Sequence, residues 1–108
     1  MKTLALSAAI LAATLMANAE QQAPAPRAVE CVSVFEIMRR AAPNWMKQTR
    51  VQAAKQAWQI DAQNLSRKAE VDFGTQINRE MTRLADISAQ SPDTLSKLAL
   101  NCFAEADL

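Results

Sequence analysis

Residues 58–88 read WQIDAQNLSRKAEVDFGTQINREMTRLADIS. Trp58, Ala62, Leu65, Ala69, Phe73, Ile77, Met81, Leu84 and Ser88 recur in steps of three or four, the spacing of one helix face. The helical pattern extends over the whole middle of the chain, from Asn44 to about Ala89. That stretch is rich in Ala, Gln, Lys, Arg, Leu and Met, all strong helix formers. No run of strand alternation with turn signals occurs, so the fold class is all-α.

The middle stretch is too long to be one straight helix if the two cysteines meet within the chain. A helix from 44 to 89 spans about 69 Å. Cys31 precedes it by 13 residues and Cys102 follows it by 13, so each reaches back about 20 Å as helix. Disulfide Cα atoms must approach within about 7 Å. A bend is therefore expected, at Asn64-Leu65-Ser66, with Gly74 as the other candidate, because Asn, Ser and Gly weaken helix interiors. The expectation is a small bundle of about four helices closed by a Cys31–Cys102 disulfide. The rival arrangement is an unbroken long helix with an intermolecular disulfide or a swapped dimer.

The flanks carry clearer stops. Ala28 to about Ala41 forms a first helix, with Cys31, Val34, Phe35 and Met38 on its inner stripe and Val32 and Ile37 widening it. Pro43 disfavours helix at the residue before it. A last helix starts at Ser91-Pro92-Asp93, which combines an N-cap residue, a proline suited to the first turn and an acid suited to the helix N-terminus. Leu95, Leu98, Ala99, Cys102 and Phe103 form its inner stripe.

Residues 1–19 have the order of a signal peptide. Met1-Lys2 is a short positive start, Leu4 to Ala17 an apolar run and Ala17-Asn18-Ala19 a small-residue exit. The run is shorter than the ~20 residues of a membrane-spanning helix. The domain plan is then a signal peptide (1–19), a flexible Pro-containing tail (20–27) and a helical domain (28–108). The short basic start and Ala-rich run look bacterial, so the expected location is the periplasm, or outside the cell. The mature chain is expected to carry no transmembrane segment. In an oxidising compartment an even cysteine count points to a disulfide.

Composition closes several chemistries. The chain has no His and one Gly, which removes imidazole-based catalysis and phosphate-binding Gly loops. With both cysteines bonded to each other, no Cys or His remains for zinc. Asp61 and Asp72 are separated by 11 residues, about 16 Å along one helix and too far for paired acid/base work. No enzyme, cofactor or metal is expected. Removing residues 1–19 takes Lys2 with them, leaving 11 Lys+Arg against 11 Asp+Glu and zero net charge. Nucleic acid is therefore not the expected partner.

Within that neutral chain, no acidic residue falls between Glu36 and Asp61, while Arg39, Arg40, Lys47, Arg50 and Lys55 do. Together with Trp45 they form the candidate binding face for a protein or an anionic envelope surface. The plainer reading is a solvated helix face whose Arg and Lys stems cover apolar surface. Trp45 either staples the turn to the first helix or stands exposed as an anchor, and Trp58 is expected in the core. In outline, the mature chain is similar to the small periplasmic acid-stress chaperones: short, all-helical and closed by one long-range disulfide. That resemblance implies a client-binding surface unmasked by acid, and it assigns no residues. The expected function is a non-enzymatic exported interaction module. The alternatives are a periplasmic stress chaperone and, less favoured, an enzyme using carboxylates alone.

Overall fold

The middle stretch breaks at neither expected place, for a reason that lies in Glu70, Val71 and Asp72. In the computed structural model, which describes residues 25–106, the first helix α1 spans Arg27–Ala41 and a single turn α2 spans Pro43–Met46. The long helices α3 (Thr49–Ala69) and α4 (Phe73–Gln90) follow, and α5 (Pro92–Glu105) ends the bundle. No strand occurs among the described residues. The proposed signal peptide and residues 20–24 of the Pro-containing tail lie outside the described residues, whereas Arg27, expected in that tail, is the first residue of α1, because the Pro26 carbonyl accepts from the Glu30 N–H and so already belongs to the helix ladder.

Glu70 takes the left-handed conformation with φ of 56°. Its N–H donates to the Arg67 carbonyl, and the N–H of Val71 donates to the Ser66 carbonyl at 3.1 Å. This is the Schellman arrangement, which ends a helix by satisfying its last carbonyls. Asp72 then starts α4. Its carboxylate accepts from the Thr75 N–H and the Thr75 hydroxyl, both at 2.8 Å. Those two bonds, the hydroxyl first, hold the Asp72 pKa below its ordinary value. Asp72 is thus a helix cap. At Asn64–Ser66 the helix runs on without a break, because the Ser66 hydroxyl donates to the Gln76 side-chain carbonyl at 2.6 Å instead of competing for its own backbone.

The turn at Glu70–Asp72 leaves α3 and α4 as antiparallel arms and lets the first and last helices meet; with a second interruption at Lys47–Gln48, the described chain has five helices where about four were expected. Cys31 and Cys102 form a disulfide within one chain, with Cα atoms 5.5 Å apart. Helix α1 is the central element. Ala28, Val29, Cys31, Val32, Ser33, Val34 and Phe35 are all buried, which is how a helix behaves when it is surrounded. The Ser33 hydroxyl is satisfied by the Val29 carbonyl at 2.8 Å. Val29 and Val32 pack with Ala62 and Ile77. Val34 packs with Leu84, Leu95 and Ala99. Cys31 and Phe35 pack with Met46, Val51, Ala54 and Cys102.

The inner line of α3 differs from the expected stripe. Val51, Ala54, Ala62 and Ser66 are buried, while Leu65 is 41 % exposed and Ala69 is exposed. Successive four-residue steps drift around a straight helix by about 40° each, so the buried line passes from Ala62 to Ser66 and misses Leu65. On α5 the expected stripe is the one observed, with Leu95, Ala99 and Cys102 buried.

Candidate functional site

The end of the α1–α3 hairpin collects the candidate cations. Lys55 Nζ lies 2.7 Å from the Glu36 carboxylate, tying α3 to α1, and Arg39 lies 3.6 Å from the same carboxylate. Beyond that tie the chain folds back through residues 37–54, a stretch with no acidic residue. Arg39, Arg40, Lys47 and Arg50 all lie in it and are exposed. Arg40, Lys47 and Arg50 have no ion-pair partner among the described residues. Lys55 is mostly covered and already paired, so it braces the face and is not free to bind. Arg39 is only loosely held, and its side chain is 60 % exposed.

Local structure explains why this corner is polar and held open. Pro43 starts α2 after Ala42, and α3 begins at Thr49 with no side-chain cap from Gln48. Arg50 stands in the first turn of α3, where a cation opposes the helix dipole. Helix stability therefore does not account for it. The Gln52 side chain donates to the Met46 carbonyl, closing the inner side of the turn.

Trp45 is not an exposed anchor. Its ring lies 6.1 Å from Phe35 and 6.2 Å from Phe103, the second contact edge-on. These are distances at which aromatic pairs attract. The half-buried indole staples the α2 turn to α1 and α5 and so sets where Lys47 and Arg50 stand. Trp58 sits between two core clusters, and its indole N–H donates to the Cys102 carbonyl at 2.8 Å. The core reading of Trp58 agrees with this position, although its edge remains partly exposed.

One ionic cluster escaped the sequence reading. Glu80 is only 3 % exposed and is held by Arg83 through two hydrogen bonds. Arg83 also reaches the Glu30 carboxylate at 3.0 Å. Arg27 pairs with Glu30 and, at 2.9 Å, with Glu105. The cluster links α4 to α1 and α1 to the end of α5. The Arg83 pKa is raised by its hydrogen bonds to Glu80, against the opposing effect of burial. The Arg27 pKa is raised chiefly by Glu105. A usable signal was present: Glu80 lies three residues after Ile77 and four before Leu84, on the buried stripe, with Arg83 one turn away.

The remaining candidates do not converge. Asp61 is exposed on α3 and Asp72 caps α4. Among the described residues no group of three His, Cys, Asp or Glu side chains is placed to hold a metal ion, and both cysteines are in the disulfide. No helix among the described residues is long and apolar enough to cross a membrane. Comparison of the chain with protein-family models, curated proteins and solved structures finds no match to any of them.

Proposed function

We propose that this chain is an exported, non-enzymatic interaction module that binds an anionic envelope component through the tip of its α1–α3 hairpin. The carrying observation is the group Arg39, Arg40, Lys47 and Arg50, exposed on a stretch without acids and set apart by the Glu36–Lys55 tie. Export is part of the same proposal. It rests on the signal-like order of residues 1–19 and on a disulfide that suits an oxidising compartment. Cations near an anionic surface contribute about 1 kcal/mol each. Sedimentation with phosphatidylglycerol-containing vesicles is the test, against phosphatidylcholine alone. The anionic vesicles should retain the protein, and Arg39→Glu/Arg50→Glu should weaken retention by about tenfold or more. Equal retention by both vesicle types would sink the membrane version. A pull-down from envelope extract that charge reversal leaves unchanged would sink the protein version.

A second reading, a stress chaperone, draws support from the Glu30–Arg83–Glu80 cluster between α1 and α4, in which Glu80 is buried and the other two are half-buried. Strong acid gives the chain a large net positive charge, whose self-repulsion works against a compact fold. Suppression of client aggregation with dye binding to exposed apolar surface, at about pH 2–3, favours this reading. A protein that stays tightly folded there and protects no client removes it.

A further inference from the structure

We propose that the groove between α1, α3 and α4 binds a single-chain anionic amphiphile, a fatty acid carboxylate, with its chain on Phe73, Ile77 and Met81 and its head at Arg40. This site is separate from the hairpin tip and shares only Arg40 with it. The groove is an open surface cleft of about 330 Å³, at the lower end of the range for small-ligand clefts. One side of it is apolar: Val32 and Ile77 are buried, and Phe73 and Met81 are half-buried against them, while Gln59 and Asn78 complete the lining. Its polar rim selects the head group. The Glu36 carboxylate on that rim is already answered by Lys55 at 2.7 Å and Arg39 at 3.6 Å. Arg40 lines the same groove and has no ion-pair partner among the described residues. The uncompensated charge next to the apolar side is therefore positive, and it complements a carboxylate joined to an apolar chain.

Gly74 supplies an independent observation. It is the one glycine in the chain, it lies in the first turn of α4, and it lines this groove. Glycine weakens a helix relative to alanine. Its φ is not positive, and an added Cβ would meet nothing closer than Asp72 Oδ2 at 3.5 Å. Neither backbone conformation nor packing calls for glycine there, and its missing side chain leaves an open edge to the groove.

Calorimetric titration of the oxidised protein with decanoate, decyltrimethylammonium and acetate tests the site. Decanoate should bind saturably with one molecule per chain, the cationic amphiphile should bind more weakly, and acetate should not bind. Arg40→Gln should weaken decanoate by about tenfold, the loss of one charge-assisted contact, and erase the preference for the anion. Gly74→Leu, placed where space is open, should block decanoate while circular dichroism and Tm show an intact fold. The proposal is overturned by an absence of saturable decanoate binding, by equal affinity for the cationic amphiphile, or by an Arg40→Gln variant that binds decanoate as the parent does.

Discussion

Glu80 shows how much one residue depends on its neighbours. A carboxylate that is 3 % exposed is tolerable only while Arg83 holds it, because an unpaired buried charge is strongly destabilising. Arg83→Met should cost about 3 kcal/mol in urea unfolding. Adding Glu80→Leu should recover most of that loss, since an apolar pair of similar size avoids the desolvation cost. A double variant no more stable than Arg83→Met would show that the pair contributes more than it costs. The raised Arg83 pKa sets a sign: its contribution is fully present below the unfolded arginine pKa and is lost only as pH rises through the higher folded value. Arg83 titration therefore adds no pH dependence around neutrality. The sequence shows Arg27/Glu30 and Glu80/Arg83 as local pairs three apart. The contact between Glu30 and Arg83 spans 53 residues and needs α1 laid against α4.

At the scale of elements, the break between α3 and α4 is the decisive feature. Its signals are short-range but were divided between two functions. Asp72 followed three residues later by Thr75 is a capping pattern, whereas Glu70 is an unusual residue for a left-handed position. Glu70→Gly should stabilise the protein by about 1 kcal/mol, because only the L side chain is strained at φ of 56°. An unchanged urea midpoint would mean that the strain is relieved locally. Asp72 gives a pH prediction with the opposite sign to Arg83. Its pKa is lowered by Thr75, so its contribution is present above the unfolded carboxylate pKa and is lost as pH falls through the lower folded value. Asp72→Asn keeps an acceptor for the Thr75 N–H and should lose less stability than the parent between pH 7 and about pH 3. Asp72→Ala should lower Tm at neutral pH. Parallel stability–pH curves for Asp72→Asn and the parent would refute the assignment. Pro43 and Pro92 were legible because a proline acts on its own backbone, whereas the Ser91 hydroxyl, expected as a cap, makes no capping bond and accepts from the Thr94 hydroxyl.

At the scale of the whole molecule, the disulfide closes a loop of 71 residues. Cross-linking such a loop removes about 4 kcal/mol of conformational entropy from the unfolded chain, comparable to the net stability of a small domain. Cys31→Ala/Cys102→Ala should therefore lie near its unfolding midpoint at room temperature or fail to fold. Both cysteines are fully buried, so dithiothreitol should leave the bond intact in buffer and cleave it only in urea. Non-reducing electrophoresis should show a monomer, and a disulfide-linked dimer band would contradict the intramolecular bond. Local chemistry was enough to establish an all-helical class, the stops near residues 42 and 91, the apolar first helix and the inner stripe of the last. These depend on propensity, capping and 3.6-residue periodicity, which act within a few residues. Only the tertiary structure decided that α1 is the surrounded helix, that the turn falls at Glu70–Asp72, that Trp45 staples a corner and that Glu80 is buried. Each of these depends on which surfaces meet across tens of residues, where packing overrides the local pattern.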